Sequence, residues 1–238
     1  MSKKHPRPSL PRKQLSVAWQ SASLLLGYPD ERLLGELDLI RAASHDLPAA
    51  LGEPIREVVV HLESTPPTEA QAEYVETFDN RRRNSLFLTY FAHGDTRKRG
   101  VALLRFKQTY LRSGFVLDDS ELPDHLSVVL EYAATVDQQL GWGLLLDHRA
   151  GLELLRMSLR DAGSPWAGAV EVVSATLPKL RGDELEAVRK LAAEGPPEEE
   201  VGLTPYATPA FDPGPAVPQH NGPQPLPMPS LSSTPGAR

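Results

Sequence analysis

Between Leu15 and Ala193 the apolar residues recur every three or four positions, and no stretch shows sustained alternation. A period near 3.6 lines up one face of a helix, whereas a half-buried strand needs a period of two. That pattern predicts an all-α fold, a compact multi-helix bundle with its helices layered around one core. One run, Val58-Val59-Val60, reads equally as strand by composition. Its helical neighbours on both sides decide for helix.

The stripes break where helix-ending residues stand. Leu15, Ala18, Ala22 and Leu25 share a face, and Gly27-Tyr28-Pro29 ends that helix. Asp30 is the expected N-cap of the next, with Leu33, Leu34, Leu37 and Ile40 inward. A third helix is expected from Pro48 to Leu62. Thr68 and Gln71 have the spacing of a capping box for a fourth, which carries Tyr74, Val75 and Phe78. A short helix is expected over Ser85 to His93, ended by Gly94. A long one follows from Asp95 or Thr96, with Val101, Leu104, Phe106, Tyr110 and Leu111 expected to be buried. Pro123 suits the first position of the next. That helix carries Leu126, Val129, Leu130, Ala133, Val136 and Leu140, and a break is expected at Gly141 and Gly143. Leu145, Leu152, Leu155 and Leu159 stripe another. Two shorter helices are expected near Trp166–Leu177 and Asp183–Ala193.

The character of the chain changes at Gly195. Residues 195–238 hold 12 of its 23 prolines and almost no periodic apolar pattern. Such a segment cannot bury enough surface to offset its ordering entropy, so disorder is expected there. The organisation predicted is a disordered basic start over 1–11, a helical domain over 12–194 and a proline-rich disordered tail over 195–238. The net charge is −6, but residues 1–194 keep 27 of the 31 acids and 24 of the 25 bases. The acidic total disfavours nucleic acid as a partner, and in the nearly balanced helical part any basic patch is local. No cysteine is present, so disulfides and thiolate ligation of zinc or iron–sulfur clusters are excluded. No apolar run reaches the roughly 18 residues of a membrane span, and no signal-peptide core follows the basic start. A cytoplasmic protein without membrane insertion is expected.

Two constellations could carry chemistry. The first is an acidic knot: Asp118, Asp119, Glu121, Asp124 and His125. Asp118 and Asp119 read as helix-start carboxylates. Asp124 and His125, next to Pro123, are expected near solvent, where they could grip a cationic, hydrogen-bonding peptide. The competing reading is a metal- or nucleotide-dependent enzyme using Asp118, Asp119, Asp124 and His125. It would need a further ligand that nothing in the sequence marks, so no metal site is predicted. The second constellation is basic: Arg81, Arg82, Arg83, Arg97, Lys98, Arg99, Arg105, Lys107 and Arg112. Most of these read as a solvated face. The Gly94–Gly100 loop lacks the glycine spacing and preceding strand of a phosphate-binding motif. Aromatics crowd the same segment (Tyr74, Phe78, Phe87, Tyr90, Phe91, Phe106 and Tyr110), and most are expected in the core with one or two lining a groove.

The same segment carries a family likeness. Its pieces are Tyr74-x-x-x-Phe78-Asp79, Arg82-Arg83-x-Ser85-Leu86-x-Leu88-x-Tyr90 and Gly94-Asp95-Thr96-Arg97-x-Arg99-Gly100. Then come Tyr110-x-x-x-Gly114, Glu121-Leu122-Pro123-Asp124-His125-Leu126 and Leu130-Glu131. In order and spacing they resemble the NarJ branch of the TorD/DmsD/NarJ redox-enzyme maturation chaperones. The likeness is strong over 74–132, loose over about 15–180, and leaves out the tail. It implies an all-helical cytoplasmic chaperone that turns over no substrate and carries no cofactor. The implied client is the catalytic (alpha) subunit of respiratory nitrate reductase, held by its N-terminal peptide during molybdenum cofactor insertion. It also implies a peptide-recognition role for Pro123, Asp124 and His125. Glu121, Tyr90, Arg97 and Arg99 transfer more loosely as peptide-binding positions. The absence of cysteine agrees, since such a chain can only hold a client while others load its clusters.

Overall fold

The computed structural model describes residues 8–118 and 121–195. Asp119, Ser120, residues 1–7 of the basic start and residues 196–238 of the proline-rich tail lie outside them. Among the described residues there are eleven α-helices and one 3-10 turn. They are α1 (Arg12–Leu25), α2 (Glu31–Ser44), α3 (Ala49–Ser64), α4 (Pro67–Phe78), the 3-10 turn (Arg82–Asn84) and α5 (Tyr90–His93). Then come α6 (Arg97–Arg112), α7 (Leu126–Thr135), α8 (Gln138–Asp147), α9 (Arg149–Asp161), α10 (Ala167–Thr176) and α11 (Asp183–Glu194). No β-strand occurs among the described residues, and the all-α expectation holds.

Helix α1 is the centre of the bundle, packing on α7, α10, α2 and α3. Its apolar face is fully withdrawn from solvent at Leu15, Ala18, Trp19, Ala22 and Leu25. Two of its serines tie it to α7. Ser16 Oγ donates to the Ala134 carbonyl at 2.9 Å and Ser23 Oγ to the Ser127 carbonyl at 2.7 Å. Trp19 reaches the opposite neighbour, donating its indole N–H to Thr176 Oγ1 at 3.0 Å. Each of these bonds satisfies a polar group that packing takes away from water. A second aromatic nest surrounds Trp166, with the rings of His61, Tyr74 and Phe78 5.7–5.8 Å from it.

Several local expectations hold. Asp30 caps α2, its carboxylate accepting from the Leu33 amide at 2.9 Å. The valine run lies in α3 with Val58 and Val59 buried and Val60 exposed, as a helical period requires. Gly94 ends α5 at φ 55°, ψ −150°, a backbone conformation open to glycine alone.

Other expectations are corrected. The capping box does not form. Helix α4 starts with Pro67 at its first position, where a missing amide costs nothing, and Gln71 Nε2 donates instead to the Pro29 carbonyl at 3.0 Å. The helix expected over Ser85–His93 shrinks to Tyr90–His93, because the chain before it is extended and pairs with the loop ahead of α7. Pro123 is not the first residue of α7; His125 takes the N-cap place and the helix begins at Leu126. The long apolar stripe expected up to Leu140 belongs to two helices. They break at Val136–Asp137, and the Asp137 carboxylate caps α8 through the amides of Gln139 and Leu140. Helix α8 then runs straight through Gly141 and Gly143.

The largest departure is in α6. Of its sixteen residues only Ala102, Phe106 and Tyr110 are buried. Val101, Leu104 and Leu111, expected inside, are 57%, 57% and 60% exposed.

Candidate functional site

The site is built where the segment Leu86–Thr89, a bridged Phe87 followed by a turn, meets the loop ahead of α7. Phe87 and His125 form an antiparallel bridge. The Leu88 amide donates to the Asp124 carbonyl at 3.0 Å, and the Leu126 amide donates to the Leu86 carbonyl at 2.8 Å. This short ladder holds Leu86–Leu88 out of the helix: the Leu86 carbonyl and the Leu88 amide find partners across the gap rather than along the chain.

Asp124 lies beneath the ladder with 0% exposure. Its Oδ2 accepts from the Thr89 amide at 3.1 Å and from the Thr89 hydroxyl. That same hydroxyl accepts from Arg99 Nε at 3.3 Å, and Arg99 Nη2 stands 3.9 Å from Asp124 Oδ2. Arg99 also donates to Asp95 Oδ1, in the turn just ahead of α6, at 3.1 Å. A chain Arg99–Thr89–Asp124 thus links the N-terminal end of α6, the residue ahead of α5 and the loop before α7. The expectation that Asp124 sits near solvent is overturned. Its carboxylate faces inward because two donors of Thr89 and the Arg99 guanidinium wait there. Pro123 is buried as well, and its carbonyl accepts from the Tyr110 hydroxyl at 2.6 Å. The sealed position pushes the Tyr110 phenol pKa up: burial is the main cause, and the Asp124 carboxylate adds to it.

Above this brace lies a row of three half-buried groups. The Arg99 guanidinium carbon sits 5.2 Å from the Phe87 ring centroid. The Phe87 ring meets the His125 ring edge-on at 5.2 Å. A cation over an aromatic face, beside an imidazole, offers charge, apolar area and hydrogen bonding within one strip.

The other expected residues fall around it. Arg97 is exposed at the start of α6, and Glu121 is exposed in the loop before α7. Tyr90 is only 8% exposed and belongs to the core side of α5. The geometry therefore joins Asp124, Pro123, His125 and Arg99, and leaves Glu121 and Arg97 as outlying charges. Thr89 was not singled out by sequence reasoning, although it is the hub of the brace; no residue pattern distinguishes it from a surface threonine. Among the described residues no group of three or more His, Cys, Asp or Glu could hold a metal ion. The enzyme reading also loses Asp124 as a reacting group, since its carboxylate is enclosed.

Two histidines here are held in the neutral form. Burial pushes the His125 pKa down against the opposing pull of Asp124. Burial does the same to His148, whose Nδ1 donates to the Leu144 carbonyl at 2.9 Å and whose ring lies 5.1 Å from that of Phe106. A histidine with a folded pKa below its unfolded value takes up a proton on unfolding. The stability it contributes is complete above about pH 6.5 and declines as pH falls toward the folded pKa. The melting temperature should therefore drop between about pH 7 and pH 5. The double substitution His125→Gln, His148→Gln should flatten that slope in thermal melts followed by circular dichroism.

With the geometry in place, comparison with known proteins gives a consistent answer. A family profile described as nitrate reductase delta subunit matches residues 44–171, more than half of the chain. The Mycobacterium tuberculosis (strain H37Rv) nitrate reductase-like protein NarX is 43% identical over 162 residues. That match covers 67% of this chain, which spans about a quarter of NarX, 24% of its length. A Bacillus subtilis (strain 168) relative bearing the NarJ name is 32% identical over 168 residues, covering 69% of this chain and 90% of that one. The Escherichia coli (strain K12) nitrate reductase molybdenum cofactor assembly chaperone NarJ is 36% identical over 148 residues, covering 61% and 63%. In structure, the fold resembles a redox enzyme maturation protein from Archaeoglobus fulgidus, with a TM-score of 0.52 at 23% identity over 74% of this chain and 99% of that one. No helix among the described residues is long and apolar enough to cross a membrane. On these matches the chain belongs to the nitrate reductase delta subunit family.

Proposed function

We propose that this chain is a dedicated cytoplasmic chaperone of respiratory nitrate reductase. It binds the N-terminal peptide of the apo catalytic (alpha) subunit and holds that subunit competent for molybdenum cofactor insertion before it docks at the membrane. It turns over no substrate. The observation that carries the reading is the Arg99–Phe87–His125 row, supported from below by the enclosed Asp124. The names of the NarJ relatives supply the client class.

The physics of such holding is an amphipathic peptide helix laid against a mixed apolar and polar strip, with outlying charges fixing its register. Phe87 supplies apolar area, His125 a neutral imidazole able to donate or accept, and Arg99 the cation. Arg97 and Glu121 stand as the outlying charges. Because burial favours neutral His125, the row at pH 7 recognises the peptide without a second positive charge.

The His125→Ala variant should weaken the peptide's affinity by about 1–2 kcal/mol, roughly tenfold, in calorimetric titration. Its helical circular dichroism should stay native, since His125 is only half-buried. An unchanged affinity would remove His125 from the site. Affinity capture with the full chain from nitrate-respiring cells should retain the catalytic subunit in its cofactor-free form. Capture of the matured form alone would contradict the chaperone role.

A further inference from the structure

Helix α6 has two apolar faces, and the bundle uses only one. Ala102, Phe106 and Tyr110 point inward. On the opposite side Val101, Leu104 and Leu111 are exposed. With Gln108, also exposed, they fall at successive first and fourth positions of a heptad: Val101, Leu104, Gln108, Leu111. This is the spacing of a coiled-coil seam, including a polar residue at one seam position, a known way of fixing register. The fifth positions of the same heptads are Lys98, Arg105 and Arg112, so one flank of the seam is wholly basic. The seventh positions are Gly100 and Lys107.

We propose that the outer face of α6 is a docking seam for one helix of a partner protein, a helix with leucine or valine along its own seam and glutamate or aspartate on the facing flank. The sign of the flank selects this occupant. A second copy of the chain is disfavoured in either orientation. Parallel α6 helices set Lys107 against Arg112, and antiparallel ones set Arg105 against itself and Lys98 against Arg112. An anionic membrane is the less favoured occupant: the exposed stripe contains no aromatic residue, and its three basic residues, Lys98, Arg105 and Arg112, lie along one flank only. The seam is separate from the Arg99–Phe87–His125 row, since Arg99 lies on the inward side of α6, and it does not depend on that row's client.

The test uses the full chain and two labelled helical peptides of about three heptads. They share one apolar seam, and carry glutamate or lysine at every flanking position. Fluorescence anisotropy should show the glutamate peptide binding at least about tenfold tighter at low salt, with the gap closing as salt rises. The triple variant Lys98→Glu, Arg105→Glu, Arg112→Glu should reverse the preference, and Leu104→Asp should abolish binding of both peptides. All four positions are exposed or flank an exposed stripe, and retained helical circular dichroism checks each fold. The affinity of the client N-terminal peptide should be unchanged in these variants, which separates failure here from failure of the chaperone reading. Equal binding of the two peptides, or an unreversed preference in the triple variant, would overturn the seam. So would binding only to phosphatidylglycerol vesicles, or an α6-dependent dimer in sedimentation; each would reassign the face.

Discussion

Asp124→Ala should destabilise the fold by about 3 kcal/mol, within the range for removing one partner of an enclosed charged network. The carboxylate has no exposure, and three donors converge on its side of the brace: the Thr89 amide, the Thr89 hydroxyl and, more distantly, Arg99 Nη2. Alanine leaves the buried Thr89 amide and hydroxyl without their acceptor in a place water does not reach, and takes from Arg99 one of its two carboxylate neighbours, Asp95 remaining. The loss should appear in urea denaturation as a lower midpoint at unchanged slope. Asp124→Asn keeps one acceptor oxygen and the shape, and should lose less. Peptide affinity should fall in both variants, because the ladder that sets Phe87 beside His125 loses its support. Asp124→Ala with stability inside about 0.5 kcal/mol of wild type would show that the brace carries no weight.

The second large effect is expected at Gly141. A Cβ there would sit 2.3 Å from the Ala133 Cβ and 2.6 Å from the Ala133 Cα. The second contact is backbone, so no rotamer change relieves it, and α7 and α8 would have to separate. Gly141→Val should therefore cost about 3 kcal/mol, the upper part of the usual overpacking range. Gly35 in α2 is the control. Nothing lies within 4 Å of a Cβ added there. Gly35→Ala should stabilise the chain by about 0.5–1 kcal/mol through helix propensity alone. Equal responses at the two glycines in parallel denaturation curves would refute the close approach of α7 and α8.

Why these features differed in legibility follows from the physics of each. The helices with one apolar face read directly. Leu15 to Leu25 and Leu33 to Ile40 bury the side their periodicity marks, and Asp30 caps where its chemistry says. Helix α6 misled because periodicity reports an apolar stripe but not which side meets the core. With stripes on both faces, Val101 and Phe106 look alike in sequence. Gly141 reads as a breaker by propensity, yet tertiary packing turns its missing side chain into a contact. The site was half legible. Motif order drew attention to Pro123, Asp124, His125 and Arg99, and the fold joins all four. The inward turn of Asp124 was not readable, because it depends on Thr89, thirty-five residues away, and on a ladder that no local pattern encodes.

A calorimetric titration of the full chain with the N-terminal peptide of the proposed client, a nitrate reductase catalytic subunit, is the decisive test of the chaperone role. Saturable one-to-one binding in the micromolar range or tighter is predicted, weakened roughly tenfold by His125→Ala and unaffected by Leu104→Asp. No heat of binding at peptide concentrations well above micromolar, with the chain shown to be folded, would contradict it.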